Sequence, residues 1–327
     1  MSLLSVKHLS VTYNVRGADR ILRAVDDVSF SVGRGRCVGL VGESGCGKST
    51  IAHAITGLVK PQFGTISIAD RNITGVDAAD RLWTSRHVQL VFQDPYGSLN
   101  PRITLGACLA EVLHVHGLGE GREPRSDRIY ELLDTVGLDF AYASRYPHEL
   151  SGGQRQRFGI ARALAVAPEI LIADEPVSAL DVSVQAQILN LLKDIQRSTT
   201  LACLFISHDL ATVRYMCDEV LVMYWGKIVE SGPCDAVFDN PSHPYTCSLI
   251  EAVPDIERNL RSRVTDETPL TLEGELSSAS SQIQGCPFHP RCPRCESVCE
   301  RDQPPVVDVS MEHRSRCHLA VAAHADD

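Results

Sequence analysis

The sequence predicts an α/β fold built on a partly parallel sheet, and three observations carry that expectation. Strand-like and helical runs alternate through the first three quarters of the chain, the order produced when crossover helices link parallel strands. A glycine-rich turn at 42–47 stands between an apolar run at 37–41 and a helical run at 50–58. Apolar/polar alternation at 4–13 and 25–32 marks antiparallel strands ahead of this unit. Short buried runs at 36–41, 88–92, 170–173, 202–206 and 219–223 supply the main sheet, with helical stretches such as 127–136, 151–165 and 182–197 between them.

The 327 residues suffice for one large domain or two smaller ones. Hydrophobic residues at 44% and charged residues at 22% exclude collagen-like, disordered and membrane-spanning classes. No stretch reaches the ~20 apolar residues of a membrane span. With 31 Lys and Arg against 41 Asp and Glu, the net charge of −10 argues against a nucleic-acid partner, which would need clustered cations. The first residues lack a basic start followed by a long apolar run, so the chain is expected to stay in the reducing cytosol. The 12 cysteines are uneven: seven are scattered from Cys37 to Cys247, and five cluster from Cys286 to Cys317. A Ser-, Thr- and Glu-rich stretch at 259–285 reads as a linker. It sets an expected division into 1–255 and a small Cys- and Pro-rich module over 256–327.

Gly42-Glu43-Ser44-Gly45-Cys46-Gly47-Lys48-Ser49, followed by Thr50, fits the phosphate-loop pattern, with a strand before it and a helix after it. Glycines let backbone N–H groups curl around phosphate oxygens, and the helix start adds partial positive charge there. Lys48 is expected on the β- and γ-phosphates and Ser49 on Mg²⁺, while Cys46 is a small loop residue. Ile170-Leu171-Ile172-Ala173-Asp174-Glu175 is an apolar strand ending in two acids: Asp174 is placed to hold Mg²⁺ and Glu175 to polarise a water.

Leu150-Ser151-Gly152-Gly153-Gln154 is a second anion site, because Ser151 is a helix N-cap and the glycines expose backbone donors at the helix start. One nucleotide does not need two such sites from one subunit, so this one is expected to serve a nucleotide held by a facing copy or homologue. With these motifs the sequence resembles the ATP-binding cassette (ABC) ATPases over roughly residues 3–255. The resemblance implies a RecA-like core, an antiparallel β subdomain and a helical signature subdomain, with ATP and Mg²⁺ as ligands. Gln93 looks like the Q-loop glutamine that senses Mg²⁺ and the γ-phosphate, and His208 like the switch histidine. Ser178-Ala179-Leu180-Asp181 is similar to the D-loop. Tyr13, just before an insertion at 14–23, is placed to stack on adenine.

The stretch from Phe92 to Arg102, the Asn240-Pro241-Ser242-His243-Pro244-Tyr245-Thr246 segment and Gly285-Cys286-Pro287-Phe288-His289-Pro290-Arg291-Cys292 resemble the dipeptide/oligopeptide importer ATPases, in particular the second of the two that such systems carry. Implied with it are a homologous ATPase as heterodimer partner, two transmembrane permease subunits, an extracytoplasmic solute-binding protein and a peripheral place on the cytoplasmic face of the membrane. Related systems carry nickel complexes, glutathione or sugars, and a soluble, non-transport ABC ATPase is the competing class. In the tail, four sulfur ligands suit zinc or an iron–sulfur cluster, and the Cys292-Pro293-Arg294-Cys295 pair leans towards zinc. The resemblance instead implies a [4Fe–4S] cluster on Cys286, Cys292, Cys299 and Cys317, leaving Cys295 as an extra thiol. His114 and His116 point to different helix faces and make a poor metal pair, and Cys203 reads as a core residue.

Overall fold

The structure, a computed structural model, describes residues 2–14, 21–75, 78–94, 96–119, 125–252 and 283–322. The boundary expected near residue 255, most of the expected linker, Pro95 and residues 15–20 of the insertion lie outside the described residues.

In chain order the elements are β1 (Ser2–Asn14), β2 (Ile21–Gly33), β3 (Cys37–Val41), α1 (Lys48–Ile55), β4 (Phe63–Ile68), β5 (Arg71–Asn72), α2 (Ala78–His87) and β6 (Val88–Val91). The helical segment follows: α3 (Leu105–Val115), α4 (Arg125–Thr135) and α5 (Gly152–Leu164). The chain then returns through β7 (Ile170–Asp174), α6 (Val182–Thr199), β8 (Ala202–Ser207), α7 (Leu210–Met216), β9 (Glu219–Tyr224), β10 (Lys227–Pro233), α8 (Cys234–Asp239) and α9 (Pro244–Glu251). The tail contributes α10 (Ser297–Arg301), β11 (Val307–Asp308) and β12 (Arg314–Ser315).

The antiparallel sheet runs β2-β1-β4-β5, and the eight-stranded sheet runs β11-β12-β10-β9-β3-β8-β7-β6. In the larger sheet β6, β7, β8, β3 and β9 are parallel, and helices lie on the connections from β3 to β6, β6 to β7, β7 to β8 and β8 to β9. A parallel strand is covered on both faces, so its alternate residues enter different cores. Cys37 and Val41 of β3, with Cys203 and Phe205 of β8, join the core shared with α3–α7, whereas Val38, Leu40, Leu204 and Ile206 join the one shared with α1 and the antiparallel sheet. In the helical segment Leu105, Leu109, Leu113, Ile129, Leu132 and Leu133 are spaced to bury one face of α3 and of α4.

The tail is built into this sheet. Strand β12 pairs antiparallel with β10 through Glu230↔Ser315 and Ser231↔Arg314, and β11 adds the edge. Glu230, 1% exposed, accepts from His313 Nε2 (2.7 Å) and from the backbone N–H groups of Ser242 and His243. Phe288, also 1% exposed, packs edge-on to Tyr224 and tilted against Tyr245.

Candidate nucleotide site

The phosphate loop leaves the carboxyl end of β3 and feeds α1, whose first residue is Lys48. Two of its glycines are sterically required. A Cβ on Gly42 would lie 2.2 Å from the Met223 carbonyl oxygen, and one on Gly47 (φ +110°) would lie 2.1 Å from that of Ala24. Lys48 is only 5% exposed, and its Nζ donates to the carbonyl oxygens of Gly42 (2.7 Å) and Glu43 (3.0 Å). A buried ammonium needs such acceptors, and they aim it along the loop. Cys46 is buried, in keeping with a packing role, and burial pushes its thiol pKa up.

Asp174 closes β7 and is 6% exposed; burial raises its pKa against an opposing hydrogen bond from Ser49. Its Oδ1 is buried with no hydrogen-bond partner. Ser49, Gln93 and Asp174 line one cavity of about 950 Å³. An orphaned carboxylate oxygen beside a hydroxyl and an amide oxygen is a hard donor set suited to Mg²⁺, so the residues present fit that ion.

Glu175 follows in the left-handed region, at φ 45°, with its N–H donating to the Ile206 carbonyl (2.9 Å). Such a conformation is uncommon for glutamate and costs of order 1–3 kcal/mol; here it turns the side chain to two partners. Gln93 Nε2 donates to one carboxylate oxygen (2.9 Å), and His208 Nδ1 lies 3.3 Å from the other. Ser44, Gln93, Glu175, Ser178, Ala179 and His208 line a second cavity of about 560 Å³.

None of Leu150, Ser151, Gly152, Gly153 or Gln154 lines these two cavities. Ser151 does cap α5: its Oγ accepts from the Gln154 N–H, and the Gln154 side chain accepts from the Ser151 N–H, a reciprocal capping box. A Cβ on Gly153 would meet Val184 at 2.6 Å and one on Gly152 would meet Leu180 at 3.3 Å, so the start of α5 rests on Leu180 and the start of α6. Tyr13, 37% exposed near the end of β1, pairs across the sheet with Leu22, which with Ala24, Gly45, Cys46 and Trp225 lines a further cavity beside the loop.

The expected metal cluster finds no support in the arrangement of its thiols. Among the described residues no group of three or more His, Cys, Asp or Glu side chains is arranged to hold a metal. Cys286, Cys292 and Cys317 are electrostatic neighbours of Cys299 and of one another, and burial raises the pKa of these three thiols, Cys286 to about 11. Cys317 accepts from the Leu319 N–H, and Cys295 is exposed.

Sequence reasoning gave no role to two residues that reach the phosphate loop. Arg291 makes a two-pronged contact with Glu43 (Nη1–Oε2 2.9 Å, Nη2–Oε1 3.0 Å), and the Glu43 N–H donates to the Tyr245 hydroxyl (2.9 Å). Both lie in segments that carried the importer resemblance, yet nothing in their spacing from residue 43 signals the contact.

Comparison with known proteins agrees with this geometry. The family described as ABC transporter matches residues 25–178, and the family described as Oligopeptide/dipeptide transporter, C-terminal region, matches residues 229–299. The chain is 51% identical over 263 residues to the Oligopeptide transport ATP-binding protein OppF of Bacillus subtilis (strain 168), covering 79% of this chain and 85% of that one. To AppF of the same organism, also described as an oligopeptide transport ATP-binding protein, it is 46% identical over 299 residues, 91% of this chain and 90% of the other. Among solved structures, the dimeric post-hydrolysis state of the ATP-binding cassette MJ0796 bound to ADP and Pi superposes with a TM-score of 0.64 and 28% identity, covering 71% of this chain and 98% of that one. CbiO1 from Clostridium perfringens, part of the transporter complex cbiONQ, gives 0.62 and 26%, covering 73% and 91%. With its phosphate loop, buried aspartate and doubly held glutamate in the cassette order, the chain belongs to the ABC transporter family, as an ATP-hydrolysing subunit of the oligopeptide/dipeptide-importer group.

Proposed function

We propose that the chain works as half of a nucleotide-sandwich dimer with a homologous ATPase, on the cytoplasmic face of the membrane. There it drives two permease subunits served by an extracytoplasmic solute-binding protein. The observation that carries this reading is the meeting of Lys48, Asp174 and the Gln93–Glu175–His208 group at one end of the sheet, with Ser151–Gln154 outside both cavities. A capped helix start that touches no site of its own subunit is free to face a partner's nucleotide.

In this mechanism residues 42–50 cradle the phosphates of ATP, with Lys48 compensating their charge, and Tyr13 stacks on the adenine. Ser49, Asp174 and Gln93 hold Mg²⁺, which when bound neutralises charge on the transferring phosphoryl group. Glu175 takes a proton from the attacking water, and Gln93 and His208 fix its carboxylate from either side. The D-loop, through Ser178 and Ala179 beside Glu175 and Leu180 beside Gly152, links this centre to the signature segment. Coupling runs through contact with the permease subunits; among the described residues no helix is long and apolar enough to cross a membrane.

Replacing Glu175 by Gln tests the reading. ATP binding is expected to persist while phosphate release falls about 10²–10⁴-fold; near-normal turnover refutes it. Co-purification tests the partners, because a soluble, non-transport ATPase would bring no membrane proteins, and the ligand of a co-purified solute-binding protein separates peptide from nickel, glutathione or sugar cargo. The [4Fe–4S] cluster on Cys286, Cys292, Cys299 and Cys317 is a proposal carried by the resemblance, with zinc as its alternative. Anaerobically purified protein containing neither metal rejects both.

A further inference from the structure

The C-terminal extension reaches the phosphate loop, and the contact is specific in its chemistry. Phe288 is locked among Tyr224, His243 and Tyr245, with ring centroids 5.2, 5.9 and 5.4 Å away. A single tight helical turn, His289–Arg291, then carries the Arg291 guanidinium to Glu43. The two side chains are 13% and 21% exposed, and both guanidinium prongs are used. Tyr224 Oη receives a further contact from Arg291 at 3.4 Å.

Glu43 is the first residue after Gly42 in the loop, and each of its polar groups is held. Its N–H donates to Tyr245, its carbonyl accepts from Lys48 and from the Cys46 N–H (3.3 Å), and its carboxylate is held by Arg291. An unpaired carboxylate beside a phosphate cradle would repel the ligand, and a paired one does not. A loop fixed before the ligand arrives also loses less conformational freedom on binding.

We propose that Arg291 and Tyr245 are positioning residues of the nucleotide site: the C-terminal extension braces the phosphate loop through Glu43, fixing its shape and cancelling its negative charge. The proposal rests on residues 42–50 being the phosphate loop. It assigns the extension a part in ATP affinity that is separate from any metal at its thiols.

The test uses the full-length chain, a fluorescent ATP analogue with Mg²⁺ to measure Kd, and phosphate release to measure KM and kcat. Arg291→Gln is expected to raise Kd and KM about tenfold while changing kcat much less, because Gln93, Glu175 and His208 are untouched. Adding Glu43→Gln to that variant removes the uncompensated carboxylate and is expected to restore most of the affinity, a coupling that a purely structural role for Arg291 would not produce. Arg291→Lys keeps the charge without the fork and should fall between wild type and Gln. If Arg291→Gln fails to fold, Arg291→Lys and Tyr245→Phe carry the same comparison, each expected to weaken binding about threefold. Affinities within twofold of wild type overturn the proposal, as does a double variant no better than Arg291→Gln. A wild-type chain that binds no analogue overturns the phosphate-loop reading itself.

Discussion

Two glycines of one loop, Gly45 and Gly47, give a prediction whose size follows from their surroundings. Both have positive φ, +81° and +110°, so alanine at either position is strained by roughly 1–2 kcal/mol, about five- to thirty-fold. Space separates them. A Cβ at Gly45 has nothing within 4 Å, whereas one at Gly47 falls 2.1 Å from the Ala24 carbonyl oxygen and 2.8 Å from Met223 Cε. The methionine can swing aside, but Ala24 is backbone within β2, two residues from Asp26, whose N–H donates to the Gly226 carbonyl (2.8 Å). Relief therefore moves the loop by roughly 1 Å, a displacement that costs on the order of 10²-fold in a positioned site. Gly47→Ala is expected to lose about 10³-fold in kcat/KM for ATP, and Gly45→Ala about tenfold. Phosphate release at sub-saturating ATP measures both, with thermal melting to confirm that the variants are folded. A ratio between the two variants below about threefold would refute the steric argument.

Three other perturbations have outcomes set by contacts described above. The catalytic loss in Glu175→Gln should appear in kcat and leave KM nearly unchanged, because the amide can still accept from Gln93 through its oxygen and donate to His208; a KM effect alone would contradict the assigned role. Phe288→Ala removes a fully buried ring that seats the extension, and should lower unfolding free energy by about 3–5 kcal/mol in urea denaturation; a loss below ~1 kcal/mol would mean the seat is not cooperative with the cassette. Burial, opposed by Glu230, pushes His243 down to about 4. The unfolded chain takes up a proton there below about pH 6.5 and the folded chain does not until near 4, so stability falls as pH drops through that window, by up to about 3 kcal/mol. His243→Asn should flatten that part of the pH profile, and an unchanged slope would dismiss this histidine as its source.

The elements that position the site were legible because each carries a strong local signal. The runs read at 170–173 and 202–206 are strands Ile170–Asp174 and Ala202–Ser207, and the capped helix read at 151–165 runs over Gly152–Leu164. The loop helix, read as 50–58, begins at Lys48 and ends at Ile55, because helical geometry starts as soon as Gly47 has made its left-handed turn, and Gly57 (φ +75°) ends it. The left-handed Glu175 was not legible: a glutamate gives no conformational hint, and its φ is set by the partners that hold it. Strands β11 and β12, two residues each, are too short to show a period. The four tail thiols showed clustering in sequence, but clustering in sequence does not fix the angles between sulfur atoms, so the spacing alone does not decide between zinc and an iron–sulfur cluster.

The Arg291–Glu43 contact joins positions 248 residues apart, and β12 reaches β10 across 85 positions at Glu230↔Ser315. Contacts of such separation form late, after the loops between them have closed. On the ribosome, where a chain emerges from its N-terminus, the phosphate loop and α1 exist long before the arginine that completes them. A nascent chain therefore carries Glu43 without its arginine partner until position 291 has been made, so this contact is set by the order of synthesis as well as by the fold.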